Sequence, residues 1–514
     1  MDVTPPSASD IEERVSLRAA PPSFTHRQIL RVVTGILLCI LLAAIDQTVV
    51  VPAVPSIAAD LNGFGHLAWI VTAYLLTSTI ATPIYGKMSD IYGRRALLLP
   101  AIVLFVAASM LCGFAQSLTQ LIVARGLQGL GGAGLMAMSQ AAIADVVSPR
   151  ERGRYQGYMA GTWGVASVAG PILGGWITDY LSWRWIFWIN LPIGIAAYLL
   201  SSSALKLLPI RTRAARIDYI GASLLTAFST AILLVMSWGG SEYRWSSPII
   251  LGLSAIAVAM LVALVLQERA NADPLLPPRL FANGVFTRGV MVAGLNSGAM
   301  FGATFLLPLF FQLIRGADAS LSGTLIVPFL GANCVGAFGA GQMARRLGRT
   351  KLLIQLGLGA AVIGFALLAT IGPDTPHGLS VLYMLIVGLG IGVCMPCTLV
   401  TVQNAADQRD VGAATGAFLF LRSMGGAVGS TLAGVLLAGQ FASHVAMLGL
   451  NVPIDLGSLR IQPGGVALDA TTHAAAQGAL TFAFHAAFAG CAALTALAFV
   501  TAWNLRDTPL RETA

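Results

Sequence analysis

The sequence predicts an all-α polytopic membrane protein of about fourteen spans, with both termini on the cytoplasmic side. Three observations predict it. Of the 514 residues, 56% are hydrophobic and only 10% charged, where soluble domains carry about a quarter charged residues. Mean hydropathy is +0.79. Apolar runs of about twenty residues, enough to cross a hydrocarbon core of ~30 Å, recur along the whole chain. Lys and Arg crowd into alternate connections between those runs. Disorder is excluded by the hydrophobicity. The 56 glycines have no strict period, which excludes a collagen-like chain and suits packed membrane helices.

Residues 1–31 carry Pro5, Pro6, Pro21 and Pro22 among mixed charges and read as a disordered cytoplasmic tail, not a cleavable signal. The first half, 32–208, contains the runs Val32–Val54, Leu67–Tyr85, Ala96–Ala115, Leu118–Ala144, Tyr155–Thr178 and Trp185–Leu208. A linker, 209–280, holds two further runs, Ile217–Trp238 and Ile249–Leu266. The second half, 281–504, contains Val285–Ile314, Leu321–Ala344, Leu352–Ile371, Leu379–Val402, Val411–Leu437 and Ala479–Asn504. Residues 438–478, interrupted by Pro453, Gly457 and Pro463, read as an external loop, and 505–514 as a cytoplasmic tail.

Orientation follows from charge. One set of connections holds only Arg184, Arg244, Arg315 and Arg460, while the other holds Lys87, Arg94, Arg95, Arg150, Arg152, Arg154, Arg211, Arg213, Arg216, Arg345, Arg346, Arg349 and more. Losing one span would scramble this pattern; losing both linker runs would not, which leaves about twelve as the alternative count. The net charge of +8 is therefore a topological signal and not a nucleic-acid footprint. All six cysteines lie in apolar runs and give no disulfide framework.

A basic turn occurs twice. Gly86-Lys87-Met88-Ser89-Asp90-Ile91-Tyr92-Gly93-Arg94-Arg95 follows the second run, and Gly341-Gln342-Met343-Ala344-Arg345-Arg346-Leu347-Gly348-Arg349-Thr350 follows the tenth. Such duplication points to a transporter with its substrate site between two halves. Here the chain resembles the major facilitator superfamily, and within it the fourteen-span drug:proton antiporters. Gly86–Arg95 is similar to the loop between spans 2 and 3, Leu121–Gly129 to the span-4 motif, and Ile45–Val50 to the span-1 signature of that branch. Gly164, Gly170, Pro171, Gly174 and Gly175 resemble its antiporter motif, and Trp183–Gly194 a further stretch typical of it. The resemblance implies two pseudo-symmetric six-helix bundles plus two extra central helices, proton-coupled efflux by alternating access, proton handling at Arg125, and a hinge at the antiporter motif. In the second turn Arg345 stands where Asp90 does in the first, so the lock is expected mainly in the N-terminal copy.

Asp46 is the first candidate for mechanism, because a carboxyl inside an apolar helix is costly and usually functional. Arg125 sits at a comparable depth and keeps its charge when buried. The two read either as a switchable pair for proton exchange or as a permanent structural pair. Neutralising Asp46 is expected to abolish efflux while leaving folding intact. Asp90 reads as a conformational latch that meets Arg94, Arg95 or a facing helix N-terminus, with Gly86 and Gly93 permitting the tight turn. Tyr74, Gln128, Met136, Gln140, Phe305 and Gln312 are candidates for a substrate cavity. Arg422 reads as a snorkelling anchor and His485 as a satisfied core imidazole.

Two signals are refused. Gly129–Gly134 matches a dinucleotide fingerprint but lies within a span, and Cys394–Cys397 matches a redox spacing but also lies within a span. No Walker-type loop is present, so no ATP engine, cofactor or metal is expected and the proton gradient is the expected drive. The expected function is export of lipophilic or cationic small molecules across the bacterial inner membrane, the alternative being a dedicated exporter of one metabolite. A polytopic enzyme using His444 or His473, or a sensor, ranks lower, because no nucleophile or metal spacing converges on either histidine. The expected partners are substrate, protons and lipid, with a periplasmic adaptor and outer-membrane channel as further candidates. The expected state is a monomer.

Overall fold

The computed structural model describes residues 26–61, 68–207, 218–240, 242–271, 273–317, 319–447, 470–507 and 509–510. Each apolar run becomes a helix, since a helix satisfies its own backbone where no water can. The first half comprises α1 His26–Asp60, α2 Ala68–Tyr92, α3 Arg94–Gly113, α4 Leu118–Val146, α5 Pro149–Tyr180, the short α6 Trp185–Trp188 and α7 Asn190–Ala204. Then follow α8 Tyr219–Trp238 and α9 Pro248–Ala270. The second half comprises α10 Pro278–Ala282, α11 Gly284–Leu313, α12 Ala319–Leu325, α13 Val327–Leu347, α14 Lys351–Leu368, α15 His377–Ala405, α16 Val411–Met447 and α17 Ala470–Trp503. Among the described residues twelve helices are long and apolar enough to cross a membrane. The helices α2 and α5, of 25 and 32 residues, are also long, α5 being the more polar of the two.

Helix starts are written locally. Ser117, Asp218, Ser247 and Asn283 cap α4, α8, α9 and α11 by accepting a backbone N–H from the first turn. At the opposite end of α1, Asp60 accepts from Arg184 Nη1 at 2.8 Å and Trp183 Nε1 at 3.0 Å. Those two donors hold the Asp60 carboxyl below the usual carboxylate range.

Several expected boundaries shift. The tail expected over 1–31 is helical from His26, and 1–25 lie outside the described residues. The loop expected over 438–478 is helical to Met447 and again from Ala470, because the prolines that break helices begin only at Pro453; residues 448–469 lie outside the description. His444 therefore sits on α16, its ring stacked 4.7 Å from that of Phe482. In the linker, 208–217 lie outside the described residues. The C-terminal tail packs against the second basic turn: Leu510 N–H donates to Gly348 O at 3.0 Å and Asp507 pairs with Arg349 at 3.0 Å. His485 Nε2 lies 2.8 Å from Ile371 O, so its imidazole is partnered within the core.

Two seams join the halves, α2 against α16 and α5 against α13. The cores show where the seams are tight. One apolar cluster, running from Val32 and Leu98 through Leu135 and Met159 to Phe286, Val402 and Phe418, spans both halves at the end that carries the basic turns. At the other end each half keeps its own cluster, one around Val49, Leu121 and Phe187 and one around Phe310, Phe365 and Phe484. The halves therefore share a core at the basic end and separate cores at the other. Helices α8 and α9 pack on each other, and α8 leans on α2 and α16.

The refused glycine run does packing work. A Cβ added to Gly131 would lie 2.6 Å from Phe105 N and 2.8 Å from its Cα, so α3 and α4 approach through it. Gly175 faces open space. Gly131→Val is expected to destabilise by about 1–3 kcal/mol and to lower the melting temperature of the detergent-purified protein, with Gly175→Val leaving it unchanged. Equal melting points for the two variants would contradict this packing role.

Candidate functional site

Asp46 and Arg125 meet at the centre of the first half. Arg125 Nη1 donates to Asp46 Oδ2 at 2.6 Å, and both side chains are sealed from solvent at 1% and 0% exposure. The carboxylate is then filled by a second residue of α4 and by one of α7: Gln128 Nε2 donates to Oδ1 at 2.7 Å and Asn190 Nδ2 at 2.9 Å. Arg125 also donates to Ile70 O at 3.2 Å and to Gln128 Oε1 at 2.7 Å. Its guanidinium lies 4.5 Å from the Tyr74 ring centroid. Asn190 bridges onward to Ser109 Oγ at 3.0 Å, and Ser109 donates to Phe187 O at 2.8 Å. A buried pair with its other donors and acceptors met avoids most of the cost of desolvation; one stripped of a partner does not.

Asn190, Ser109 and the backbone of Ile70 were not singled out from the sequence. An uncharged polar side chain in an apolar run has many acceptable fates, and only Asn190 carried a hint, standing alone as an amide in the tryptophan-rich stretch Trp183–Asn190. Of the expected cavity residues, Tyr74 and Gln128 belong to this network. Gln140 accepts from Gln156 Nε2 at 2.8 Å, and Gln312 donates to Ser322 Oγ at 2.8 Å. Met136 packs against the shared core, and Phe305 is exposed beside Gly434. None of the six lines the cavity found in the second half.

The first basic turn reaches across the seam. Asp90 accepts from the backbone N–H of Gly412 at 2.9 Å and of Ala413 at 2.7 Å, in the first turn of α16 where the helix dipole is positive. Arg94 donates to Asp90 at 2.9 Å and to Asp145 at 2.8 Å, and also to Ser89 Oγ. Arg95 is exposed, so of the two arginines it is Arg94 that meets Asp90. Asp145 was missed because it reads as ordinary charge at the end of a span. Gly93 turns with φ 83°, in the left-handed region that glycine favours. A Cβ on Gly86 would lie 2.6 Å from Gly412 O, so only glycine lets the two helices approach.

The second turn repeats the geometry with the charge inverted. Gly348 turns at φ 64°, and Gly341 presses its backbone against Gly153 on α5. Arg345, in the place of Asp90, pairs with Glu151 in the first turn of α5 at 2.9 Å. That pair is about 40% exposed on each side, 42% for Arg345 and 41% for Glu151, and contributes roughly 0–1 kcal/mol. The buried Asp90 contacts are worth more.

The antiporter-motif residues divide. Gly170 and Gly174 pack on α1 at Thr48 and Val49, Gly164 meets Cys334 Sγ across the seam, and Gly175 touches nothing. Pro171 lies inside α5 and is exposed.

The chain belongs to the Major Facilitator Superfamily, whose pattern it matches over residues 36–218 and 211–430. It is a multi-span membrane protein. It is 38% identical over 405 residues to the multidrug transporter protein MdtP of Bacillus subtilis, which covers 79% of this chain and 74% of that protein. It is 37% identical over 421 residues to an uncharacterized MFS-type transporter of Mycobacterium tuberculosis, where the match covers 82% of this chain and 61% of the relative's length. The solved human organic anion transporter MFSD10 superposes with a TM-score of 0.63 at 17% identity, covering 94% of this chain and 100% of that one. That likeness concerns the fold alone.

Two outcomes follow. Asp46→Asn leaves Arg125 buried against a neutral amide and is expected to destabilise by about 3–5 kcal/mol, contrary to the expectation of intact folding. Asp46→Asn with Arg125→Gln is expected to recover most of the lost melting temperature. Failure of the double variant to recover would show that the charges are not coupled. Asp90→Ala is expected to release about 2–3 kcal/mol of seam closure, read as roughly tenfold or faster maleimide labelling of a single cysteine at Ala417. An unchanged labelling rate would remove Asp90 from the latch.

Proposed function

We propose that the protein is a proton-driven exporter of lipophilic or cationic small molecules, working by alternating access in the bacterial inner membrane. It has two six-helix halves, two added helices α8 and α9, and cytoplasmic termini, with α2 and α5 completing about fourteen spans. The observation that carries the reading is the sealed Asp46–Arg125 network inside one half, in a molecule whose halves share a core at one end. The likeness to relatives named as multidrug transporter and as efflux pump supports the export direction. The basic turns support a cytoplasmic placement of the closed end.

A proton arriving at Asp46 neutralises the carboxylate and cancels its attraction for Arg125. The guanidinium then keeps Ile70 O and Gln128 Oε1 as acceptors. Gln128 and Asn190, which donate to the carboxylate, lose the charge that held them. Since these groups tie α1, α3, α4 and α7 together at that depth, loading the proton weakens the polar contacts between all four helices. Asp46 is fully enclosed while the basic end is shut, so proton exchange is tied to the conformational change.

In everted vesicles energised to an inside-acid gradient, a panel of lipophilic probes is expected to dissipate ΔpH with the wild type and not with Asp46→Asn, at matched amounts of folded protein. Equal dissipation by the two would separate Asp46 from coupling.

A further inference from the structure

The linker buries a pair of carboxyl groups that the Asp46 network does not use. Asp218 caps the start of α8, Glu268 stands in the last turn of α9, and each is 5% exposed. One oxygen of each is occupied: Gly221 N–H donates to Asp218 Oδ1 at 2.8 Å, and Leu276 N–H donates to Glu268 Oε2 at 2.9 Å. The other oxygens, Asp218 Oδ2 and Glu268 Oε1, are buried without a hydrogen-bond partner. They converge on one spot, since a Cβ built on Gly221 would lie 2.5 Å from the first and 3.0 Å from the second. The buried Lys87 of α2 acts on Glu268 through its charge, yet its ammonium meets neither unpaired oxygen. Of the charged groups beside them in sequence, Arg269 is exposed and Asp273 acts on Arg279. One ammonium against two carboxylates leaves a negative charge over in a sealed, apolar place.

A single proton removes that charge and supplies the missing donor. We propose that Asp218 and Glu268 form a second proton-binding site, which seats the linker helices against the seam. The helix ends decide which carboxyl carries the proton. Asp218 lies at the positive end of α8, where an anion is favoured, and Glu268 at the negative end of α9, where it is not. The proton therefore rides on Glu268 Oε1 and is donated to Asp218 Oδ2, while Glu268 Oε2 remains the acceptor for Leu276. Leu276 and its neighbour Leu275 pack into an apolar cluster with Leu225 of α8, Leu264 of α9, Ile84 of α2 and Phe420 of α16. Further along the same connection, Arg279 grips Asp410 through hydrogen bonds of 2.8 and 3.1 Å, just before the turn of α16 that Asp90 holds. Loss of the proton to the surrounding water leaves two like charges side by side, which drives the ends of α8 and α9 apart and loosens the connection at the seam. The seated state binds the proton and the loosened state does not, so acid seats the linker and alkali frees it. The site holds its proton whether or not the protein exports, and its test needs no transport.

The test uses the purified full-length protein at about pH 6 and about pH 8.5. The infrared difference spectrum between the two is expected to show the carbonyl stretch of a protonated carboxyl, with a contribution that disappears in Glu268→Gln. That variant imitates the protonated pair, so it is expected to melt with wild type in acid and about 2 °C or more above it in alkali. Asp218→Asn keeps the cap of α8 and donates to Glu268 Oε1. It is expected to weaken the same carbonyl contribution at least about twofold, and it carries the test should Glu268→Gln fail to fold. A single cysteine at Ala222, which packs on the same apolar cluster, reads the seating. At the higher pH maleimide is expected to label it at least about threefold faster in the wild-type background than with Glu268→Gln, and at the lower pH equally; comparing the two at one pH cancels the titration of the thiol. Melting of Glu268→Gln below wild type at both pH values would make Glu268 a permanent partner of Lys87 and overturn the proposal. A carbonyl contribution unchanged in both variants would overturn it as well, and equal labelling at the higher pH would overturn the seating of the linker by the proton.

Discussion

A carboxylate and a guanidinium taken together out of water cost several kcal/mol each unless their remaining lone pairs and N–H groups are filled. That requirement organises the first half of this protein. Asp46 on α1 is held by donors from α4 and α7, and Arg125 by acceptors on α1, α2 and α4. Five helices converge because one ion pair has to be satisfied without solvent, with Ser109 of α3 completing the chain through Asn190. Between apolar helices in lipid the hydrophobic effect gives little preference for one neighbour over another, so polar contacts and close glycine packing choose the partners. Gly129 and Gly132 bring α2 onto α4 at Tyr74, the ring beneath the Arg125 guanidinium.

The seam between halves follows the same economy of contact. Glycine backbones touch at Gly86–Gly412 and Gly153–Gly341, so the halves meet with no side chains between them, and small shifts there move whole helices. The duplicated turn supplies the same left-handed glycine in each half and opposite charges four residues after the contact glycine. Asp90 engages backbone N–H groups at a helix start; Arg345 engages Glu151 in the equivalent first turn. What looks like decay of the motif in the second copy is a change of sign that preserves the contact across the seam.

The sequence made legible those features that apolarity and charge control directly. Long apolar runs located every long helix, and charges that interrupt such runs located Asp46 and Arg125. Apolarity marks hydrocarbon and not backbone hydrogen bonding, which explains why α1 starts at His26 and α16 runs to Met447, past the expected limits. The neutral members of the network, Asn190 and Ser109, were hidden because their burial is visible only when five helices are placed together. For Arg422 the same limit holds: depth along a helix can be counted, but whether a counter-ion faces the cation depends on three other helices.

The two halves differ in how they treat buried charge, and the difference bears on how they divide the work. In the first half the buried charges Asp46, Arg125, Asp90 and Arg94 all have complements. In the second half Asn296 Oδ1 and Ser297 Oγ are buried without a hydrogen-bond partner, and Arg422 is only partly buried. Helix α11, which carries Asn296 and Ser297, packs along α16, the same α16 whose first turn Asp90 holds. On the exporter reading a proton therefore acts in the half where charge is satisfied, and the seam joins that half to one whose buried polar groups are not.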